Sequence, residues 1–127
     1  MAMKRLVLPV AGAVLALSMI GPAFAHHGWG GYQEAETDVI GTVVERVSLA
    51  GAHASLKLRG EDGKLWDVVL PPPRFTFTLG IEARTIPLGA IVKAHGHRHR
   101  DANKFEMKTE QITMGERTFS LYPGRWN

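Results

Sequence analysis

Between His53 and Pro73 the chain writes out a β-hairpin and the point where its sheet must stop. Ala54, Leu56 and Leu58 alternate with His53, Ser55, Lys57 and Arg59, the two-residue period of a strand with one buried face. His53 opens this strand on the polar parity, which sets it at the mouth of the fold rather than in its core. Glu61-Asp62-Gly63-Lys64 reads as the turn, with Asp-Gly supplying positive φ. Leu65 to Leu70 forms the return strand. Pro71-Pro72-Pro73 then ends the ladder, because proline has no amide hydrogen to give.

Further strand signals flank this hairpin. Val39 to Ser48 is rich in Val and Thr, and Gly41 marks a bend or bulge within it. Residues 74–89 make a longer connection, with a short helix expected over Arg74–Leu79 although Phe75, Thr76, Phe77 and Thr78 favour strand. Ala90–His97 is a fourth strand with Val92, Ala94 and Gly96 on one face. Lys104–Thr113 is a fifth, and Gly115-Glu116 turns it into a sixth, Arg117–Tyr122. Three strands, a crossover and two or three more strands is the chain order of an OB-like barrel, so the fold class is all-β, with five to six strands. The alternative is an open sandwich. Closure removes exposed sheet edges, which favours the barrel.

Upstream, Lys4 and Arg5 precede an apolar run from Leu6 to Gly21, and Ala23-Phe24-Ala25 places small residues three and one before a break. That is the pattern of a secretory signal peptide cleaved after Ala25, and it implies a periplasmic protein without stable membrane insertion after cleavage. The expected organisation is a leader at 1–25, an N-terminal arm at 26–37, the barrel at 38–122 and a tail at 123–127. The whole chain carries 15 Lys and Arg against 12 Asp and Glu; losing Lys4 and Arg5 leaves 13 against 12, a net charge of +1. So small a charge gives no electrostatic case for nucleic acid as a partner. The absence of cysteine rules out disulfides and thiolate metal sites.

Chemistry is concentrated in six histidines. Cleavage after Ala25 would make His26 the new terminus, so its α-amine and Nδ1 can chelate a metal together. A further imidazole, from His27 or His53, would complete a T-shaped, all-nitrogen histidine brace. Imidazole suits copper and zinc, and Cu(II) stands highest in the divalent series. His95, His97 and His99 alternate, which puts their imidazoles on one strand face about 7 Å apart. His99 falls where the strand gives way to a turn, so two ligands are the stronger expectation there. Asp67 is placed to orient a histidine from behind. Trp29, Tyr32 and Trp66 offer stacking surfaces or core filling. Glu106, Lys108 and Glu110, alternating with Phe105, Met107 and Thr109, read as a solvated strand face. No pattern marks a catalytic residue.

The chain resembles a family of small exported bacterial proteins classed as a domain of unknown function. The likeness rests on His26-His27-Gly28 after the leader, on Gly41-Thr42-Val43, on the strand opened by His53, and on Gly96-His97 with Arg100-Asp101 close behind. Gly51-Ala52 stands where that family often has Asn-Pro, and Arg98 where it typically has Pro. The resemblance implies an OB-like barrel, an exported location and His26, His27, His53 and His97 as the residues of interest, with His95 and His99 lacking counterparts. Three functions follow as expectations. The first is a periplasmic metal-binding protein, for copper or zinc. The second is a metal-free module for an envelope oligosaccharide, peptide or protein. The third is a copper-dependent redox enzyme.

Overall fold

A computed structural model describes residues 3–4 and 28–124. Six strands and one short helix follow in chain order: β1 (Tyr32–Ser48), β2 (Ser55–Gly60), β3 (Leu65–Val69), α1 (Pro73–Thr78), β4 (Ile91–His99), β5 (Glu106–Met114) and β6 (Arg117–Ser120). The β2–β3 hairpin forms in the register that alternation requires, with Leu56 opposite Val68 and Leu58 opposite Trp66. After Pro71-Pro72, Pro73 sits in the first turn of α1, where its missing N–H costs nothing. The Thr76 hydroxyl is buried and donates to the Pro71 carbonyl at 2.8 Å, tying the helix to the strand it follows.

The sheet order is β3-β2-β1-β4-β5-β6. These neighbours pair antiparallel, and a short parallel pairing of β3 with β5 joins the two sides of the sheet. In that pairing Asp67, Val68 and Val69 lie opposite Glu106, Met107 and Lys108. The result is a five-strand OB-like ring with β6 appended to β5. Inside it Leu56, Leu58, Val68, Leu70, Val92, Ala94, Met107 and Ile112 are buried to 2% exposure or less, and Ile81 and Ile86 of the crossover join them. Each of the Leu, Ile, Val and Met side chains among these contributes ~1.5–3 kcal/mol by leaving water.

Two departures from the expected boundaries bear on function. β1 begins at Tyr32, so residues 32–37, expected as arm, are strand paired to the end of β4, with Tyr32 opposite His99 and Glu36 opposite His97. These residues are too polar to show an apolar period, and their strand conformation comes from the β4 partner. β4 likewise extends through His99. At the other end β6 stops at Ser120; residues 125–127 of the expected tail lie outside the described residues, as do 5–27 of the leader and arm.

Gly41 marks no bulge, since its register with β2 and β4 is unbroken and the β1–β2 shifts fall after Val43; its role is close approach instead. A Cβ there would lie 2.5 Å from the Arg59 carbonyl oxygen, so β1 can lie against β2 only with glycine at the crossing. Gly96 does the same between β4 and β5, where a Cβ would fall 2.1 Å from the Lys108 oxygen.

Candidate functional site

The close β4–β5 approach at Gly96 coincides with a break in register. His95 pairs with Gln111 and Gly96 with Thr109, leaving Glu110 as the extra residue of a β-bulge. The shift lets Met107 and Ile112, which differ in parity, both enter the core. It also aims Glu110 at His97. The His97 ring donates from Nδ1 to the Gln33 carbonyl at 2.8 Å, since a carbonyl can only accept. Its Nε2 then faces Glu110 Oε1 at 3.0 Å. A nitrogen and a carboxylate oxygen this close need a cation between them, and either a proton or a metal ion can serve.

Both members of this pair are buried, His97 at 6% and Glu110 at 1% exposure. Glu36, directly opposite His97 on β1, brings a third ligand. One ligand atom from each of Glu36, His97 and Glu110 lies within 4.8 Å of the other two. Tetrahedral ligands at ~2.0–2.2 Å from one ion stand ~3.4 Å apart, so side-chain movements of about an ångström would bring these three into one coordination shell.

The site has a roof. Trp29, itself buried, meets the His97 ring edge-on at 5.5 Å and Tyr122 at 5.3 Å. Lys108, opposite His97 on β5 and only 3% exposed, donates from Nζ to the Gly28 carbonyl at 3.2 Å and lies 5.0 Å from the Trp29 ring centre. Arg100 N–H donates to the Gly31 carbonyl at 2.9 Å. Residues 28–31 are thereby strapped across β4 and β5. Tyr32 completes the wall, donating its hydroxyl to Glu106; burial foremost, and that hydrogen bond with the carboxylate charge, push its pKa well above the ordinary tyrosine value.

This arrangement corrects the solvated-face reading of β5. Lys108 and Glu110 do point away from the barrel interior, as alternation requires, but the N-terminal strap covers that second face. The one sequence signal available was Trp29 so close to the His-His-Gly stretch: a large apolar residue in a polar segment needs something to cover.

The other expected residues go elsewhere. His53 donates from Nδ1 to the Leu70 carbonyl, 3.0 Å away, and β1 lies between β4 and the strand that His53 leads into. Among the described residues it is absent from the cluster around His97 and makes the backbone hydrogen bond of a loop–strand junction. Asp67 orients no histidine among the described residues; its carboxylate faces Lys57 Nζ at 3.7 Å. His99 meets the Tyr32 ring at 5.5 Å and accepts from the Asp101 N–H at 3.0 Å. His95 sits between Asp38 and Glu36. His26 and His27 lie outside the described residues, immediately before the strap. Trp66 fills the core beside Phe105 and donates to Asp62, away from any stacking role.

No family model matches the chain, and no curated protein matches it. Among solved structures it is similar to a chain of the S. pombe Stn1-ten1 complex, 13% identical over 65% of this chain, with a TM-score of 0.51. The matched region spans 59% of that structure's chain, about three fifths of its length. At that identity the likeness shows the OB-type fold alone.

Proposed function

We propose that this chain is an exported, periplasmic OB-like protein that binds a divalent transition metal, with copper or zinc as the ion. His97, Glu110 and Glu36 are the ligands offered by the barrel. His26 and His27, which immediately precede the strap in sequence, add imidazole and amine nitrogens. The observation that carries this reading is the buried His97–Glu110 pair with Glu36 in reach, roofed by Trp29 two residues after His27. The donor set is mixed nitrogen and oxygen rather than the all-nitrogen brace expected from sequence, and it suits zinc as well as copper. The role is metal handling at the cell envelope.

The test is titration of the processed protein with Cu(II) and Zn(II), beside His97→Asn, Glu110→Gln and a form with one alanine added before His26. The reading expects submicromolar affinity for at least one ion and a loss of a hundredfold or more in His97→Asn. It expects an intermediate loss where the alanine displaces the amine. Binding weaker than micromolar, or unchanged in His97→Asn, would sink it. Trp29 gives a second readout, since Cu(II) beside its ring would quench its fluorescence.

A second reading, a protein partner, has one observation of its own. Ile40, Val44 and Ile91 are exposed around a shallow groove with Arg59 and Glu61 on its margin. Ile91→Glu would abolish such binding and leave metal affinity unchanged.

A further inference from the structure

Glu36 is the weak member of the proposed ligand set. Its side chain is 43% exposed, against 1% for Glu110, and a long carboxylate side chain on a strand surface loses rotamer freedom if it is to wait in one place for an ion. Something must hold it, and the strand register supplies the means. On β1, Glu36 and Asp38 share a face; on β4, His95 and His97 do. Glu36 lies opposite His97 and Asp38 opposite His95. His95 therefore reaches its direct neighbour Asp38 through Nδ1, at 2.6 Å, and its diagonal neighbour Glu36 through Nε2, at 3.4 Å from Oε2. Both ring nitrogens are engaged, and the Asp38 contact fixes which way the other nitrogen points.

We propose that His95 is a positioning residue: with Asp38 behind it, it holds the Glu36 carboxylate toward His97 and Glu110, and so sets the metal affinity of a site it does not ligate. This rests on the metal-binding reading above. Glu36 has two oxygens, so Oε1 can meet the ion while Oε2 stays on His95. The order Asp38, His95, Glu36, metal ion is an outer layer behind a ligating carboxylate, a hydrogen bond from His95 to Asp38 and an ion-pair contact from His95 to Glu36. Removing such partners typically costs ~10–100-fold in metal affinity. It gives His95 a use although it has no counterpart in the resemblance, and it makes the alternating histidines two different things, a ligand at 97 and a support at 95.

The competing arrangement is a switch, in which Glu36 must let go of His95 before it can reach the ion. The two differ in sign. Support predicts weaker metal binding without His95; a switch predicts tighter binding.

A double-mutant cycle with Zn(II) as the probe decides between them. His95→Ala is expected to lower Zn(II) affinity about tenfold, Asp38→Asn to lower it less, and His95→Gln, which keeps a hydrogen-bond donor, to recover part of the loss. In a Glu36→Gln background His95→Ala should cost nothing more, because there is no carboxylate left to hold. A merely structural role would lower thermal stability in both backgrounds and show no such coupling. In the wild type, the His95 ring protons should shift on Zn(II) loading; in Glu36→Gln they should stay. Unchanged or tighter binding in His95→Ala, or a loss that persists undiminished in Glu36→Gln, would overturn the support while leaving the metal site standing. Failure of the wild type to bind Zn(II) or Cu(II) would overturn both.

Discussion

Tyr32 is where a single residue can be read most directly. Its hydroxyl is held between burial and Glu106, and the phenolate form is disfavoured in the folded protein. The sign follows from linkage: a pKa raised on folding means the native state keeps a proton the unfolded chain has lost. Its stabilising contribution is whole below pH ~10 and falls as pH climbs above that value. The chain has only two tyrosines, so an ultraviolet titration can resolve them. We expect one tyrosine to stay protonated past the usual range and thermal stability to decline above pH ~10, with the decline flattened in Tyr32→Phe. Equal, ordinary titration of both tyrosines would refute this. His97 makes a second residue-scale case. Removing it takes a hydrogen bond from the Gln33 carbonyl and one from Glu110, so His97→Ala should cost ~1–3 kcal/mol even without metal, measured by urea unfolding. Alternation made His97 and Glu110 legible as facing away from the core. It left their burial unread, because the cover arrives from Trp29, far away in sequence, and no local period records it.

The strands show the same division between local and borrowed information. The β2–β3 hairpin was legible to within a residue or two because its alternation, its Asp-Gly turn and its prolines all act on near neighbours. The first half of β1 was not, because Gln33-Glu34-Ala35-Glu36-Thr37 has no apolar period and is extended only by pairing with the histidines of β4. Helix α1 formed despite its aromatic and β-branched residues, with Thr76 bonded back to Pro71. The β4–β5 junction offers a clean test of what brings the site together. Gly96 carries no positive φ, so its need is space alone: the Lys108 backbone fills the position a side chain would take. Gly96→Ala should force the strands apart and cost at least the ~1–3 kcal/mol of an overpacked core. It should also loosen the His97–Glu110 pair, read as lost metal affinity. Gly30, in the strap, has no positive φ and no atom within 4 Å of the place an alanine methyl would occupy, so Gly30→Ala should leave stability within ~0.5 kcal/mol of wild type. Equal effects at the two positions would contradict the close-approach account.

For the molecule as a whole, the three proposed ligands tie together parts of the chain that meet only when the ring is formed. Glu36 lies near the start of β1, His97 near the end of β4 and Glu110 at the bulge in β5. An unfolded chain cannot present those three together, so an ion held by them binds the native state more tightly than the unfolded chain and stabilises the whole ring. At a free concentration a hundred times Kd the gain is ~2.7 kcal/mol. For a domain near 100 residues, each kcal/mol moves Tm by ~4–8 °C, which places the expected rise at roughly 10–20 °C. The transition should stay single, because β1, β4 and β5 belong to one ring with one core and cannot melt apart in turn. Calorimetry of the processed protein with and without Zn(II) checks both points. A shift that survives in the Glu110→Gln, His97→Asn double variant would mean the ion acts elsewhere, and a second transition would mean that it grips the strap without gripping the barrel. The measurement also bears on the proposed cleavage after Ala25. With Ala25 as the last leader residue, only two histidines separate the new terminus from the Gly28 carbonyl that Lys108 holds. An uncleaved chain would carry an amide there in place of the amine, and its Tm rise with Cu(II) should be smaller than that of the processed form by several degrees.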